Sequence, residues 1–255
     1  MLLALICLAS PIDASADGAK SWYVTRSGSK QPPMPSDISN LSEFDAYYLD
    51  SSVSEDSERR VIYLTFDAGY ENGNVEKVLD ILKAENVPGA FFILDNIILK
   101  NTDIVNRMAN EGHLVCNHTK NHKDMTKCTR DEMIKNLTDL EKIYEEKTGH
   151  TMAKYFRFPE GKYDEKSMLC AKELGYKTIF WSFAYADWDN DNQPDARKSI
   201  KRILDNTHNG EVILLHPNSA TNVEILPHLI KEWRRMGYCF GTLDELVSAT
   251  KPEPR

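Results

Sequence analysis

Val61-Ile62-Tyr63-Leu64-Thr65-Phe66-Asp67-Ala68-Gly69-Tyr70 is the stretch that decides how this chain is read. An apolar, β-branched run ends abruptly in a carboxylate and a glycine. A buried parallel strand delivers a reactive group to the rim of an α/β fold in this way. A carboxylate at that rim can act as a general base on water. Taken alone, Asp67 before Gly69 also reads as a cap for the following helix. Ala68, next along, offers nothing polar.

Working outward, strand-like and helix-like segments alternate from Val61 to the C-terminus. Gly89–Leu94 is an apolar run after a helical pattern of Val75, Val78, Leu79 and Leu82. His113–His118 reads as a strand, and Met133 to Tyr144 as a long amphipathic helix closed by Gly149. Tyr155–Phe158, Lys177–Ser182 and Val212–His216 read as strands, and Cys239-Phe240 opens a last short one. Helices fall between them; the last long one spans Val223 to Met236, where Pro227 implies a late start or a kink. Such alternation predicts an α/β fold: parallel strands with right-handed crossovers, closing into a distorted, incomplete (β/α) barrel. Upstream, residues 17–60 carry Pro32, Pro33, Pro35 and many serines with little periodicity. They read as an irregular N-terminal arm anchored by Tyr23, Phe44, Tyr47 and Tyr48. The main domain is then 61–248, with a tail over 249–255.

With 255 residues, 41% hydrophobic and 27% charged, the composition is that of a globular protein. A net charge of −8 argues against nucleic acid as a partner, because phosphate binding needs a basic surface. Residues 1–16 hold a short apolar run followed by Ala14-Ser15-Ala16, the pattern of a secretory signal peptide or its remnant, although no Lys or Arg precedes the run. The run is too short to span a bilayer as a helix, so the expectation is an exported, extracytoplasmic protein with no transmembrane span in its mature form. The five cysteines form no close metal-binding pair; Cys116, Cys170 and Cys239 read as small core residues.

Polar groups recur at the C-terminal ends of the strands. Asp67 ends the first, His118 the third with His122 four residues on, Arg157 lies in the fourth, Asp187-Trp188 follow the fifth, and His216 ends the sixth. Parallel α/β folds gather those ends on one face. Each residue has a plainer reading. His118 and His122 fit turn residues, since a helical zinc-protease pair would need Glu after the first histidine. Arg157 fits a structural ion pair, Asp187-Trp188 a loop anchor, and His216 a satisfied core histidine. Their joint appearance at successive strand ends favours chemistry.

These landmarks are Thr65-Phe66-Asp67-Ala68-Gly69, Asn117-His118-Thr119-Lys120-Asn121-His122, Arg157-Phe158-Pro159-Glu160-Gly161, Asp187-Trp188 and Ile213-Leu214-Leu215-His216. In that order the chain resembles the polysaccharide deacetylases, the family 4 carbohydrate esterases, over roughly residues 60 to 247. Within the family, Phe66–Gly73 and Phe180–Ser182 with Asp187-Trp188 and Asn192-Gln193 look most like the muramic acid de-N-acetylases of δ-lactam synthesis in spore cortex. The resemblance implies a distorted (β/α) barrel and the following roles. Asp67 would be the general base, His216 the general acid, Asp187 the group that holds His216, and Arg157 the group that keeps Asp67 ionised. Trp188 and Leu214 would wall the acetyl pocket, with Pro159 and Gly161 also facing substrate. His118 and His122 would bind a divalent metal, zinc by type.

The chain departs from the family in two places. A second Asp usually stands where Ala68 does, as the third metal ligand; catalytic zinc generally takes three protein ligands plus water. The expectation is therefore a weakly held ion completed by water or by a nearby group such as Glu71, or bound only with substrate, or a metal-free site in which backbone N–H groups carry the oxyanion. Glu160 replaces the aromatic or basic residue common at its position, which bears on substrate contacts. The implied reaction is hydrolytic de-N-acetylation of N-acetylmuramic acid in peptidoglycan glycan strands without stem peptide. The alternatives are N-acetylglucosamine deacetylation in peptidoglycan or another polysaccharide, and an inactive glycan-binding module.

Overall fold

The computed structural model describes residues 18–36, 38 and 40–250. The expected signal segment, with Cys7, and the end of the expected tail lie outside the described residues. In chain order the elements are β1 (Lys20–Ser21), β2 (Ala46–Tyr47), β3 (Arg60–Ala68), α1 (Val75–Glu85), β4 (Ala90–Ile93), α2 (Asp95–Lys100), α3 (Thr102–Asn110), β5 (Leu114–Asn117), α4 (Arg130–Thr148), β6 (Ala153–Phe156), β7 (Lys162–Tyr163), α5 (Glu165–Glu173), β8 (Lys177–Ile179), β9 (Phe183–Ala184), α6 (Ala196–Asn206), β10 (Glu211–Leu215), α7 (Ala220–Arg235), β11 (Tyr238–Phe240) and α8 (Leu243–Thr250). One sheet runs β2-β8-β6-β5-β4-β3-β10-β9, with β11 also paired to β3. Its strand pairs are parallel. The result is a curled, open half-barrel wrapped by helices, as the strand–helix alternation predicted.

Strand β3 is the axis of the sheet. On one side it pairs with β10, Ile62–Phe66 against Glu211–Leu215; on the other with β4, Thr65–Ala68 against Ala90–Ile93. Alternate side chains leave a strand on opposite faces. Ile62, Leu64, Phe66 and Ala68 enter one apolar layer with Val75, Val78 and Leu79 of α1. Val61 and Tyr63 enter the other, with Phe92, Cys116, Ile179 and Val212, inside the curl. Asp67 shares the parity of Val61 and Tyr63, so its carboxylate sits at the mouth of the curl.

Several sequence expectations need correction. The N-terminal segment is more than an irregular cover, because Ala46–Tyr47 joins the main sheet beside β8 and Lys20–Ser21 pairs antiparallel with β7. Its anchor is Trp22, not Tyr23: Trp22 stacks on Phe180 (centroids 4.2 Å apart) and donates to the Trp181 carbonyl at 2.8 Å, whereas Tyr23 is exposed. Strand β8 stops at Ile179, and the separate β9 pairs with β10. Helix α7 starts at Ala220 rather than Val223, because the Ser219 side chain caps it; Pro227 lies within it. Cys116 and Cys170 are buried, but Cys239 is exposed.

Glu211 opens β10 fully buried, with Oε1 lacking a hydrogen-bond partner. Oε2 accepts only a long bond, 3.4 Å, from the His208 N–H. Burial raises its carboxyl well above the usual carboxylate range. The folded chain thus binds a proton that the unfolded chain gives up. This group's contribution to stability is present below the ordinary carboxylate pKa and is lost as pH rises through the folded value. Thermal melts across pH should show that loss in the wild type and its removal in Glu211→Gln. Parallel melting curves for the two proteins from pH 4 to pH 9 would contradict a buried, protonated Glu211.

Candidate active site

The strand ends bring Asp67, His118, Arg157, Asp187 and His216 to one face. Arg157 follows β6 and is completely buried. Its guanidinium donates to Asp67 Oδ1 at 2.9 Å, to Thr65 Oγ1 at 2.9 Å, and to the Ile179 and Phe180 carbonyls at 2.9 and 3.3 Å. It also lies 4.2 Å over the Phe92 ring. A buried cation is costly unless its donors are satisfied, and here each nitrogen has a partner. Thr65 earns its place in an apolar strand by receiving one of those donors while giving its own proton to the Ile213 carbonyl at 2.7 Å.

Asp67 is nearly enclosed, with 11% of its side chain exposed. Burial acts to raise its carboxyl, but its interaction with His118, the charges of Arg157 and His216 and the Arg157 hydrogen bond together hold it below the usual range. His118 is 3% exposed, and burial drops it to about 4. It is therefore neutral near pH 7, and Arg157 is the cation that keeps Asp67 ionised there. Because a carbonyl only accepts, His118 Nδ1 carries the proton and donates to the Arg157 carbonyl at 2.8 Å. Nε2 then turns a lone pair toward Asp67 Oδ2 at 3.4 Å. The backbone beyond it is unusual: Thr119 and His122 both adopt positive φ, 71° and 59°. Asn117 accepts the Thr119 N–H at 2.9 Å, which fixes the turn. His122 is exposed, its ring edge-on to His118 with centroids 5.0 Å apart.

The second half of the site sits on the neighbouring strand. The β3–β10 register ends at Leu215 opposite Phe66, so the next residues, His216 and Asp67, face each other at adjacent strand ends. His216 Nδ1 donates to Asp187 Oδ1 at 2.7 Å, and its backbone N–H donates to Oδ2 at 2.9 Å. Nε2 is left for the cleft. Burial acts to lower the imidazole, but the hydrogen bond and charge of Asp187, with the charge of Asp67, raise it above its ordinary value. Trp188 is 58% exposed, and its ring lies edge-on to His216 at 5.9 Å. Leu214 is buried in β10. Pro159 and Gly161 are buried too. Gly161 has φ +66°, and a Cβ there would sit 2.8 Å from the Trp181 ring and 3.0 Å from Trp22, so its lack of a side chain serves packing.

Ala68 is buried among apolar side chains of the α1 layer and ligates nothing. Glu71 instead caps α1, accepting from the Gly73, Val75 and Glu76 N–H groups. Among the described residues no group of three His, Cys, Asp or Glu side chains is placed to hold an ion. His118 and His122 by themselves do not make a three-ligand centre.

A parallel half-barrel with an Arg-held aspartate and an Asp-held histidine at adjacent strand ends has known counterparts. Residues 54–179 match the family described as polysaccharide deacetylase, a segment holding Asp67, His118, His122 and Arg157. The chain belongs to the polysaccharide deacetylase family, and it is a hydrolase acting on an N-acetyl amide. It is 35% identical to the peptidoglycan-N-acetylmuramic acid deacetylase PdaA of Bacillus subtilis over 89% of this chain and 85% of that protein. The structure of B. subtilis PdaA, a family 4 carbohydrate esterase, superposes with a TM-score of 0.86 at 32% identity, covering 93% of this chain and 100% of that one. A peptidoglycan-N-acetylglucosamine deacetylase of Bacillus cereus is 28% identical over 75% of this chain and 90% of its own length.

Sequence reasoning missed Thr65 and Asn222. Thr65 stood as a polar residue in an apolar run; Asn222, buried in α7 with its Nδ2 2.6 Å from Asp187 Oδ2, carried no local signal.

Removing Arg157 leaves Asp67 as a buried charge without its counter-ion. Arg157→Met should destabilise the fold by about 3–5 kcal/mol. In an Asp67→Asn background the same change should cost clearly less. Urea unfolding of the four proteins gives the coupling; equal costs in both backgrounds would show that the ion pair is not what Arg157 supports.

Proposed function

We propose that this chain removes the acetyl group from N-acetylmuramic acid in peptidoglycan strands whose stem peptide is gone, freeing an amine for muramic δ-lactam closure. The observation that carries the reading is the opposition of Asp67 and His216, each backed by its own buried counter-ion. Asp67, ionised, takes a proton from water as its oxygen attacks the amide carbonyl. The C–N bond then breaks as His216 Nε2 hands a proton to the nitrogen, leaving acetate and the free amine. Each proton transfer of this kind typically contributes ~10²–10⁴-fold. Arg157 keeps the base charged, Asp187 keeps the acid protonated, and Trp188 with Leu214 walls the acetyl group. A pure binding module would have no use for this pairing.

Muramic acid as the substrate rests on the similarity to PdaA, which exceeds that to the B. cereus glucosamine deacetylase in identity and in the share of this chain covered. That second relative supports the rival reading, N-acetylglucosamine, with the same catalytic groups. Either substrate lies outside the cytoplasmic membrane, so the reading includes an exported protein; no described helix is long and apolar enough to cross a membrane. A divalent ion, zinc by the nature of two imidazole donors, would be held weakly by His118 and His122 with water filling the remaining positions.

Peptidoglycan stripped of stem peptides by an amidase, treated with the purified protein and analysed by mass spectrometry, should lose acetyl groups from muramic residues. Loss from glucosamine alone would transfer the reading to the rival. Asp67→Asn should lower acetate release by at least ~10²-fold with an unchanged circular dichroism spectrum. Calorimetric titration with zinc should give one weak site, abolished in His122→Ala; a tight, stoichiometric ion that survives dialysis against chelator would refute the two-donor description.

A further inference from the structure

Behind Asp187 lies a line of buried polar side chains that leads away from the cleft. Asp187, Asn222, Tyr185 and Ser199 are each less than 5% exposed. Asn222, in the first turn of α7, donates from Nδ2 to Asp187 Oδ2 at 2.6 Å and to the His216 carbonyl at 3.0 Å. Its Oδ1 accepts from the Tyr185 hydroxyl. Ser199 of α6 is in turn a hydrogen-bond partner of Tyr185. Burial, then the charge of Asp187, raises the Tyr185 phenol, so it stays a donor at any pH the fold tolerates. A donor at Oδ1 settles which end of the Asn222 amide faces Asp187.

The bonds thus point one way. Tyr185 orients Asn222, Asn222 pins Asp187 Oδ2, and Asp187 Oδ1 is left to hold His216 Nδ1. Gln193 holds the same loop by its backbone: Nε2 donates to the Asp187 and Asp189 carbonyls at 3.3 and 2.7 Å, and Oε1 accepts from Ser219 Oγ and the Thr221 N–H. Asn222 grips the carboxylate itself, sharing Oδ2 with the His216 backbone N–H, and among the described residues is its one side-chain donor outside His216. A carboxylate held by two donors instead of three offers His216 a weaker, less directed partner, and the neutral ring left once Nε2 has given up its proton is then freer to carry the remaining one on Nε2 instead of on Nδ1, where it blocks the next protonation of Nε2.

We propose that Asn222 is a positioning residue for the deacetylation: through Asp187 it fixes the orientation and proton-bearing nitrogen of His216. This rests on the reading of His216 as the general acid, but it can be judged without turnover. The charged and titratable groups facing His216 are Asp187, Asp67 and Arg157, with Tyr185 behind Asp187.

The test compares wild type, Asn222→Ala, Asn222→Asp and Tyr185→Phe by kinetics and by nitrogen and proton NMR of the His216 ring. Asn222→Ala should lower kcat roughly tenfold or more with KM within about twofold, and the neutral ring should gain the Nε2–H form. Asn222→Asp keeps the shape of the side chain, which protects against a variant that fails to fold. While protonated, the introduced carboxyl donates to Asp187 as the amide did, so kcat and the Nδ1–H resonance should stay near wild type at the acid end. As pH rises and that proton leaves, two carboxylates face each other and both should fall away. Tyr185→Phe should show a milder version of the Ala result. Folded Asn222→Ala and Asn222→Asp proteins with wild-type kcat and a wild-type His216 resonance throughout would overturn the proposal. If wild type itself releases no acetate, the functional reading fails, and the ring resonances alone still decide the positioning role.

Discussion

The Arg157–Asp67 ion pair is the constraint around which this molecule is arranged. A guanidinium with no solvent exposure needs a partner at each nitrogen, and two pieces of chain supply four acceptors: Asp67 and Thr65 from β3, and the carbonyls of Ile179, which closes β8, and of Phe180 after it. That requirement ties the central strand to the far end of the sheet across the inside of the curl. The carboxylate kept charged in this way sits beside His118, which burial keeps neutral. A base and a neutral imidazole are thus presented together, both almost buried.

The other half of the site follows a different rule. Asp187 has no buried arginine; its charge is met by three N–H donors, two from His216 and one from Asn222. Hydrogen bonds to an ion are stronger than those between neutral groups, and they set direction as well as energy. One cluster therefore favours loss of a proton and the other favours keeping one, on strands a single hydrogen-bonded spacing apart. The same fold produces opposite tendencies because the counter-charge differs, a cation in one case and a set of dipoles plus imidazolium in the other.

Much of this was legible in the sequence. Each of the strand-end residues Asp67, His118, Arg157, Asp187 and His216 closes or follows an apolar run, and parallel topology forces such ends together. The half-barrel followed from the strand–helix alternation. What could not be read depended on contacts between distant segments. Two-residue strands such as Ala46–Tyr47 and Phe183–Ala184 have no periodicity to detect. Trp22 and Tyr23 are adjacent aromatics, and only the location of Phe180 decides which turns inward. Asn222 looks like any polar residue on a helix until the Asp187 loop is folded against it. Helix α7 starts three residues before Val223 because the Ser219 side chain satisfies its first turn, a contact with no periodicity to reveal it, while Pro227 merely lacks a donor further in.

Trp22 has a consequence for how the chain reaches its final form. Its ring and its indole N–H are satisfied by Phe180 and Trp181, the latter 159 positions further on. During synthesis Trp22 can meet Tyr48 early, but Phe180 and Trp181 follow it only some 159 positions later. Contacts of such long sequence separation form late, since loop closure must be met before they return any energy. The segment around Trp22, although made early, is accordingly among the last to settle. Until it does, Gly161 lacks one of the two tryptophans packed against the space a Cβ would fill.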